Sequence, residues 1–430
     1  MVNKTIYCAQ AFGSAAINSS GEYISCCNIR SNEWEYATYK DPSIKELDPK
    51  DRINLENLRK VRRELIDGVW PKACENCRVA ESNGVQSMRT IWNKELGHVD
   101  IPANEYIDPN DVRYLDLTFS TKCNSKCMTC NYSASDFWEE EYNHIWETNE
   151  TVTDRVNIKD EQADKFVTQF PNVERISFIG GEPTISDEHV RYLRKLIETG
   201  KSNKIKISYV TNLTGVNEEL VELWKHFKQV HVAVSVDGYG IVNEYIRYPF
   251  KWSKVESNIR KLFQMVVDSH NGVTETNFSV SLSCTVSLFN AIQCFDLLDF
   301  WFRLTTEYRN SEHSLTGGTG CFVNCVNNPE YALVSLLSHE YRQQGVAKGN
   351  ELLAKMDRYE QDNPGELVNY GFRDSVKLAI AWLDEPQIHD EVYLKNTKHF
   401  ITASDLFRKR HIKDFIPELY EELEKLWQNL

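Results

Sequence analysis

Between residues 110 and 330 the chain switches repeatedly between two hydrophobic periods. Short runs with apolar residues at every second position predict strands at "VRYLDLTF", "VERISFIGG", "KIKISYVTN", "HVAVSVDG", "NFSVSLSCTVS" and "GCFVNCV". Between them, "SDEHVRYLRKLIETG" and "NEELVELWKHF" repeat apolar residues at helical spacing. Strands alternating with helices predict βα units around a parallel sheet. The expected class is therefore α/β, a partial (β/α)6 TIM-like barrel spanning 110–330.

The flanking regions read differently. Residues 1–95 combine a strand-turn-strand pattern at "INSSGEYISCC" with a helix at "DRINLENLRKVRRELIDG" that stops near Gly68. The basic run "RKVRREL" is expected to be a solvated helix face. Residues 331–430 are expected to be helical, and their role is unassigned. Their end, "DLFRKRHIKDFIPELYEELEKLW", is amphipathic, as for core packing or dimerisation.

Composition sets the surroundings. Hydrophobic residues make up 41% of the chain, with ten Trp and twenty Tyr, enough to fill a core and to exclude overall disorder. The start has no apolar secretory segment and no stretch reaches bilayer-crossing length, so the expectation is a soluble, cytoplasmic protein without a membrane partner. Twelve cysteines in such a setting are expected to stay reduced, which makes their clusters metal ligands rather than disulfides. A net charge of −14 disfavours nucleic acid as a partner, leaving room only for a local basic cleft.

The densest cysteine cluster is "TKCNSKCMTCNYS", a C-x3-C-x2-C of Cys123, Cys127 and Cys130 in the loop after the first strand of the βα series. The C-terminal ends of parallel strands are where such sheets build sites. Three thiolates on a short loop suit three irons of a 4Fe-4S cluster and leave the fourth iron open. By spacing alone, a fragment of a zinc site is the alternative.

The motifs that follow carry a resemblance. "FIGGEP" at 178–183, "YVTNLT" with Asn212, "VSVDG" at 234–238 and "TVSLFN" with Asn290 succeed the triplet at βα intervals. Together they resemble the radical SAM superfamily, in which the open iron chelates S-adenosylmethionine. The resemblance implies that Gly180 and Gly181 let backbone approach the ligand and that Glu182 holds the methionine amino group. It implies further contacts to S-adenosylmethionine from Asn212, Ser235, Asp237 and Asn290. One departure is Thr129, where that superfamily often has an aromatic residue before the third cysteine; altered packing is expected there. Cys284, Cys294, Cys321 and Cys325 lie in apolar or strand-like stretches and are expected to be packing residues.

A second cysteine set lies near the start: Cys8, Gly21, the adjacent pair Cys26 and Cys27, then Cys74 and Cys77 in "WPKACENCRVAES". It resembles the first half of a SPASM pattern, called twitch, in which a hairpin and a following helix hold an auxiliary 4Fe-4S cluster. Cys8, Cys26, Cys74 and Cys77 are the ligands the resemblance implies, with Gly21 in the hairpin turn and Cys27 as the replacement for Cys26. In familiar members this segment follows the core, whereas here it precedes it. A four-cysteine zinc site with the same ligands is the alternative.

What the resemblance implies about function is reductive cleavage of S-adenosylmethionine to a 5′-deoxyadenosyl radical, which takes hydrogen from a substrate. The substrate class it favours is a peptide or protein side chain, with electrons from a donor such as flavodoxin or ferredoxin. Radical modification of a nucleotide or other small molecule is one alternative, and a non-catalytic Fe–S or zinc protein is another. No catalytic side chain beyond the ligands is singled out.

Overall fold

The structure, a computed structural model, describes residues 6–29, 47–82, 86–102, 104–151, 155–308, 319–364, 371–428 and 430. Ten strands occur among them: β1 (Ser14–Ile17), β2 (Tyr23–Ile24), β3 (Tyr114–Thr118), β4 (Lys126–Cys127), β5 (Arg175–Ile179), β6 (Lys206–Thr211), β7 (Gln229–Ser235), β8 (Arg247–Tyr248), β9 (Asn277–Val286) and β10 (Thr319–Cys325). All six strands expected from the alternating runs are present, as β3, β5, β6, β7, β9 and β10, with at least one helix between each consecutive pair. The class is α/β with a mostly parallel sheet, as a partial TIM-like barrel requires. Among the described residues no helix is long and apolar enough to cross a membrane.

Two compact units interleave along the chain. The first comprises Met1–Thr121, Thr153–Tyr209 and Glu219–Gln229. Its strands pair in the order β2-β1-β3-β5-β6, all parallel except the β1–β2 hairpin. β1 lies in register with β3 from Ser14 against Tyr114 to Ile17 against Leu117, so the hairpin extends the sheet. Periodicity had shown the hairpin but not this pairing, which joins residues a hundred apart. Burial along β5 and β6 alternates: Ile176, Phe178, Ile207 and Tyr209 point into a helix-covered core with Tyr192 and Trp224. The expected helix is interrupted, running as Pro49–Arg52 and then Glu56–Ile66, with Gly68 beyond it in the left-handed region.

One expectation about that helix is corrected. Arg59 and Arg63 pair with Glu56 and Glu105 at its surface, but Arg62 is buried. Its guanidinium donates to the carbonyls of Glu105 and Ile53 and to Asn54 Oδ1, at 2.6, 2.9 and 3.0 Å. The sequence pattern cannot separate it from its neighbours, because the acceptors are loop groups distant from the helix or bent back on it.

The second unit comprises Lys122–Val152, Val210–Glu218 and Val230–Leu430. β9 and β10 run parallel from Val280 against Thr319 to Val286 against Cys325. Cys284, Cys294 and Cys321 are fully buried there, as expected of packing residues. β4 and β8 form a separate two-residue antiparallel ribbon with Cys127 opposite Arg247. The C-terminal hundred residues are helical, with helices His339–Asp362, Phe372–Leu383, Glu391–Arg408 and Pro417–Trp427. The last two are separate because Lys409 adopts a left-handed conformation, φ 51°.

Candidate functional site

The loop bearing Cys123, Cys127 and Cys130 is held by backbone and side-chain bonds from several elements of the second unit. Cys127 sits on β4, and the following residue donates from Met128 N to Ile246 O at 2.8 Å. Cys130 N donates to Cys127 O at 3.0 Å, which turns the loop back on itself. The same carbonyl accepts from Trp138 Nε1 at 3.1 Å, and Cys123 N donates to Asp136 Oδ1 at 3.0 Å. Burial pushes the Cys130 thiol up to about 12, and the neighbouring Cys127 and Cys123 add to the effect. Thiolates crowded on one loop are stabilised by a cationic metal, which inverts the local balance.

Cys127 Sγ has two polar neighbours. Ser125 Oγ lies 3.0 Å away, and Arg247 Nη1 donates to the sulfur at 3.7 Å. Arg247 Nε in turn donates to Asp237 Oδ2 at 2.8 Å, and Asp237 is fully buried. Asp237 Oδ1 accepts from Thr285 N at 2.8 Å. Asn290, also fully buried, donates to Asp237 O at 2.6 Å and to Thr285 O at 2.9 Å, while its Oδ1 accepts from Ser287 N at 2.7 Å. The side chains of Asp237 and Asn290 are thus spent on holding the ends of β7 and β9 and on aiming Arg247. Ser235 is the last residue of β7 and is half-buried.

Asn212 is tied to the cysteine loop. Its Nδ2 donates to Asn124 Oδ1 at 3.0 Å, and Asn124 Nδ2 donates to Thr214 Oγ1 at 2.8 Å. The next residue, Leu213, has φ 65° and is fully buried, with its carbonyl accepting from Asn258 Nδ2 at 2.8 Å. A left-handed conformation is unusual for a bulky residue and is held here by packing and that hydrogen bond.

In the first unit, β5 is followed by Gly180 and Gly181, with φ 77° and 50°. A Cβ on Gly180 would lie 2.2 Å from Thr118 Cγ2 at the end of β3, so only glycine fits. Glu182 is 2% exposed, and its Oε1 accepts from Thr184 N at 3.1 Å, fixing the carboxylate at the start of the next turn.

The first unit also gathers the N-terminal cysteines. Burial raises the Cys8 thiol, with the charge of Cys77 adding to it. Cys26 is pushed well above the usual thiol range by burial and then by Cys8, Cys27 and Cys74. Cys74 is pushed up to about 12 by burial and by Cys8 and Cys77. Asn28 Nδ2 donates to Cys77 Sγ at 3.6 Å. Cys27 turns elsewhere: partial desolvation, then the charge of Asp116 and a hydrogen bond with it, push it up to about 12. Asp116, on β3, is itself raised to about 7 by burial. Among the described residues no three His, Cys, Asp or Glu side chains converge tightly enough to hold a single metal ion.

Arg247 and Arg408 are the residues that motif reading missed. Arg247 lies nine residues past the "VSVDG" segment, and nothing local distinguishes it from a surface arginine. Arg408 sits in the helical region without assigned motif, and its contacts are described below.

Three solved structures resemble the chain at low identity, all of SuiB from Streptococcus suis. The S-adenosylmethionine-bound form shares 16% identity over 63% of this chain and 50% of that one, with TM-score 0.34. The form bound to precursor peptide SuiA shares 14% over 67% and 60%, with TM-score 0.35. A further SuiB structure shares 14% over 73% and 63%, also with TM-score 0.35. The chain thus spans about half to three-fifths of the length of these structures. No curated protein matches it in sequence. Residues 117–276 match the model of the radical SAM superfamily, a span that contains the cysteine triplet, Gly180 to Glu182, Asn212, Ser235 and Asp237. That span is therefore similar to a radical SAM domain, a domain type that implies a 4Fe-4S cluster and S-adenosylmethionine.

Proposed function

We propose that the protein cleaves S-adenosylmethionine at a cluster held by Cys123, Cys127 and Cys130 and uses the product to modify a peptide or protein side chain. The observation that carries the cleavage reading is the Cys127–Arg247–Asp237 chain of contacts, which ties the cysteine triplet to the fourth-strand segment of the superfamily pattern. The residues suit the group: three thiols on one loop, Cys130 raised by burial and then by the other two, and two polar side chains beside Cys127 Sγ. With the cluster and S-adenosylmethionine bound, the chemistry supplied is one-electron cleavage of the sulfonium and hydrogen-atom abstraction by the 5′-deoxyadenosyl radical.

The chain's own residues then have separate tasks. Ser125 and Arg247 direct partial positive charge at Cys127 Sγ, which stabilises added negative charge on the bound group. Asp237 and Asn290 act as positioning residues rather than contacts, since their polar atoms are engaged within the protein. Ser235, Asn212, Gly180 and Gly181 are the proposed contacts to S-adenosylmethionine, and Glu182 is the proposed partner of its methionine amino group.

Cys8, Cys26, Cys74 and Cys77 are the proposed ligands of an auxiliary 4Fe-4S cluster, supported by the raised thiols of Cys8, Cys26 and Cys74, which burial sets first and neighbouring cysteines of this set reinforce. Cys26 is preferred to Cys27 because Cys27 is engaged with Asp116. The peptide reading rests on this second group, since the twitch arrangement it resembles accompanies peptide and protein modification. The proposed domain division follows: 1–95 for the auxiliary group, 110–330 for the radical SAM core, and 331–430 as a helical region.

The test is 5′-deoxyadenosine formation from S-adenosylmethionine with dithionite, using anaerobically reconstituted protein beside a Cys123→Ala/Cys127→Ala/Cys130→Ala variant. Turnover abolished in the variant is expected. Equal turnover in both proteins would overturn the assignment.

A further inference from the structure

The helix Glu391–Arg408 reaches the cysteine loop from almost three hundred residues away. Arg408, its last residue, has a fully buried side chain that uses all three guanidinium nitrogens. Nε donates to Glu141 Oε1 at 2.7 Å, Nη2 to Lys126 O at 2.8 Å, and Nη1 to Met128 Sδ at 3.2 Å. Lys126 and Met128 are the two residues that flank Cys127. The guanidinium also lies 5.0 Å from each of the Trp138 and Tyr248 rings, and Trp138 is the donor to Cys127 O.

Neighbouring residues repeat the connection. Ser404, one turn earlier, donates to the same Glu141 oxygen at 3.1 Å. Lys126 Nζ stands 3.6 Å from Glu141 Oε2 and 4.7 Å from the Phe137 and Phe407 rings. Tyr245 Oη donates to Asp405 Oδ1 at 3.0 Å, and Arg410 donates to the carbonyls of Glu244 and Tyr245 at 3.0 and 2.7 Å. The same C-terminal segment therefore braces β4 and the helical turn leading into β8, and its Arg408 and Arg410 also lie over the Tyr248 ring of β8.

The formal charges do not cancel. Among the buried and half-buried groups here, Lys126, Arg408 and Arg410 are three cations against the two carboxylates of Glu141 and Asp405, and Glu140 attracts Lys126 only from the surface. An uncompensated buried charge is costly. A cluster bound by three thiolates carries net negative charge, and a fixed cation behind its loop is the electrostatic complement.

We infer that Arg408 is a positioning residue for the cysteine loop, and that the Lys126–Glu141–Arg408 group supplies a standing positive charge that favours the reduced cluster. The second half of this inference rests on the proposed cluster at Cys123, Cys127 and Cys130; the first half does not.

The test uses the full chain in two states. Without iron, hydrogen exchange at the amides of residues 126–130 is compared in wild type and Arg408→Lys, with an acceleration of about tenfold or more expected from the lost bridging bonds. With iron, the reduction potential of the cluster is followed by electron paramagnetic resonance in a Cys8→Ala/Cys74→Ala background, which removes the auxiliary group. Arg408→Met is expected to lower the potential and Glu141→Gln to raise it. Opposite shifts from two variants at one site cannot come from loosened packing alone. Arg408→Lys exchange equal to wild type would overturn the positioning role, and shifts of the same sign, or none, would overturn the charge role. Should the triplet hold no cluster at all, the proposed function fails while the exchange comparison still decides whether Arg408 positions the loop.

Discussion

Arg247 stands opposite Cys127 across the β4–β8 ribbon and donates to its sulfur at 3.7 Å while its other edge is bound to the buried carboxylate of Asp237. Removing the arginine leaves Asp237 charged, buried and without its cation, a situation that costs about 3–5 kcal/mol. Arg247→Met is therefore expected to be strongly destabilised in urea denaturation. Arg247→Met/Asp237→Asn should recover much of that stability, since the isolated charge is gone. It should not recover turnover, because the donor to Cys127 Sγ is still missing. Stability equal to wild type in the single variant would show that the pair does no such work.

Gly180 makes a steric prediction. The Cβ of Gly180→Ala meets Thr118 Cγ2 at 2.2 Å and also requires a left-handed φ, so the strand ends must separate. A loss of about 3 kcal/mol is expected from overpacking and strain together. Adding Thr118→Ser deletes the clashing methyl and should restore part of the stability, measured by thermal unfolding of the double variant against each single one.

The two adjacent cysteines are separable by metal content. Cys26→Ala is expected to lower bound iron from about eight to about four per chain after reconstitution, whereas Cys27→Ala keeps about eight. Iron and acid-labile sulfide assays decide it. The reverse pattern would make Cys27 the ligand, and bound zinc in place of the second four irons would make the site a structural zinc centre.

His189 gives the protein an acid-sensitive core. It is fully buried against Phe178, with its ring nitrogen 2.9 Å from Tyr209 Oη, and burial lowers its pKa from 6.5 to about 3. Below pH 6.5 the unfolded chain takes up a proton that the folded chain refuses, so the contribution present at neutral pH is lost as pH falls toward 3. Between pH 7 and pH 5 the loss is about 2 kcal/mol. His189→Gln does not titrate and should flatten the urea-denaturation profile over that interval by a similar amount.

Much of the candidate site was legible because its signals are local. Cys123, Cys127 and Cys130 share one short loop, and Gly180 to Glu182, Asn212 and Ser235 each stand at or just beyond the end of a strand that alternation alone revealed. Arg62 was misread because its acceptors, Ile53, Asn54 and the Glu105 carbonyl, are set by how loops return to the helix. A single helical period sees only its own face.

Alternation of apolar and polar residues determined the strands, and close spacing determined which loop carries three thiols, because both depend on neighbours along the chain. Tertiary structure alone decided that β1 pairs with β3, that Cys27 meets Asp116 of β3, and that Arg247 and Arg408 converge on β4. The guanidinium of Arg408 meets Lys126 across 282 positions, and a contact of that kind has no period to reveal it. It exists because a buried cation needs every donor satisfied, and only the folded chain brings enough acceptors within reach.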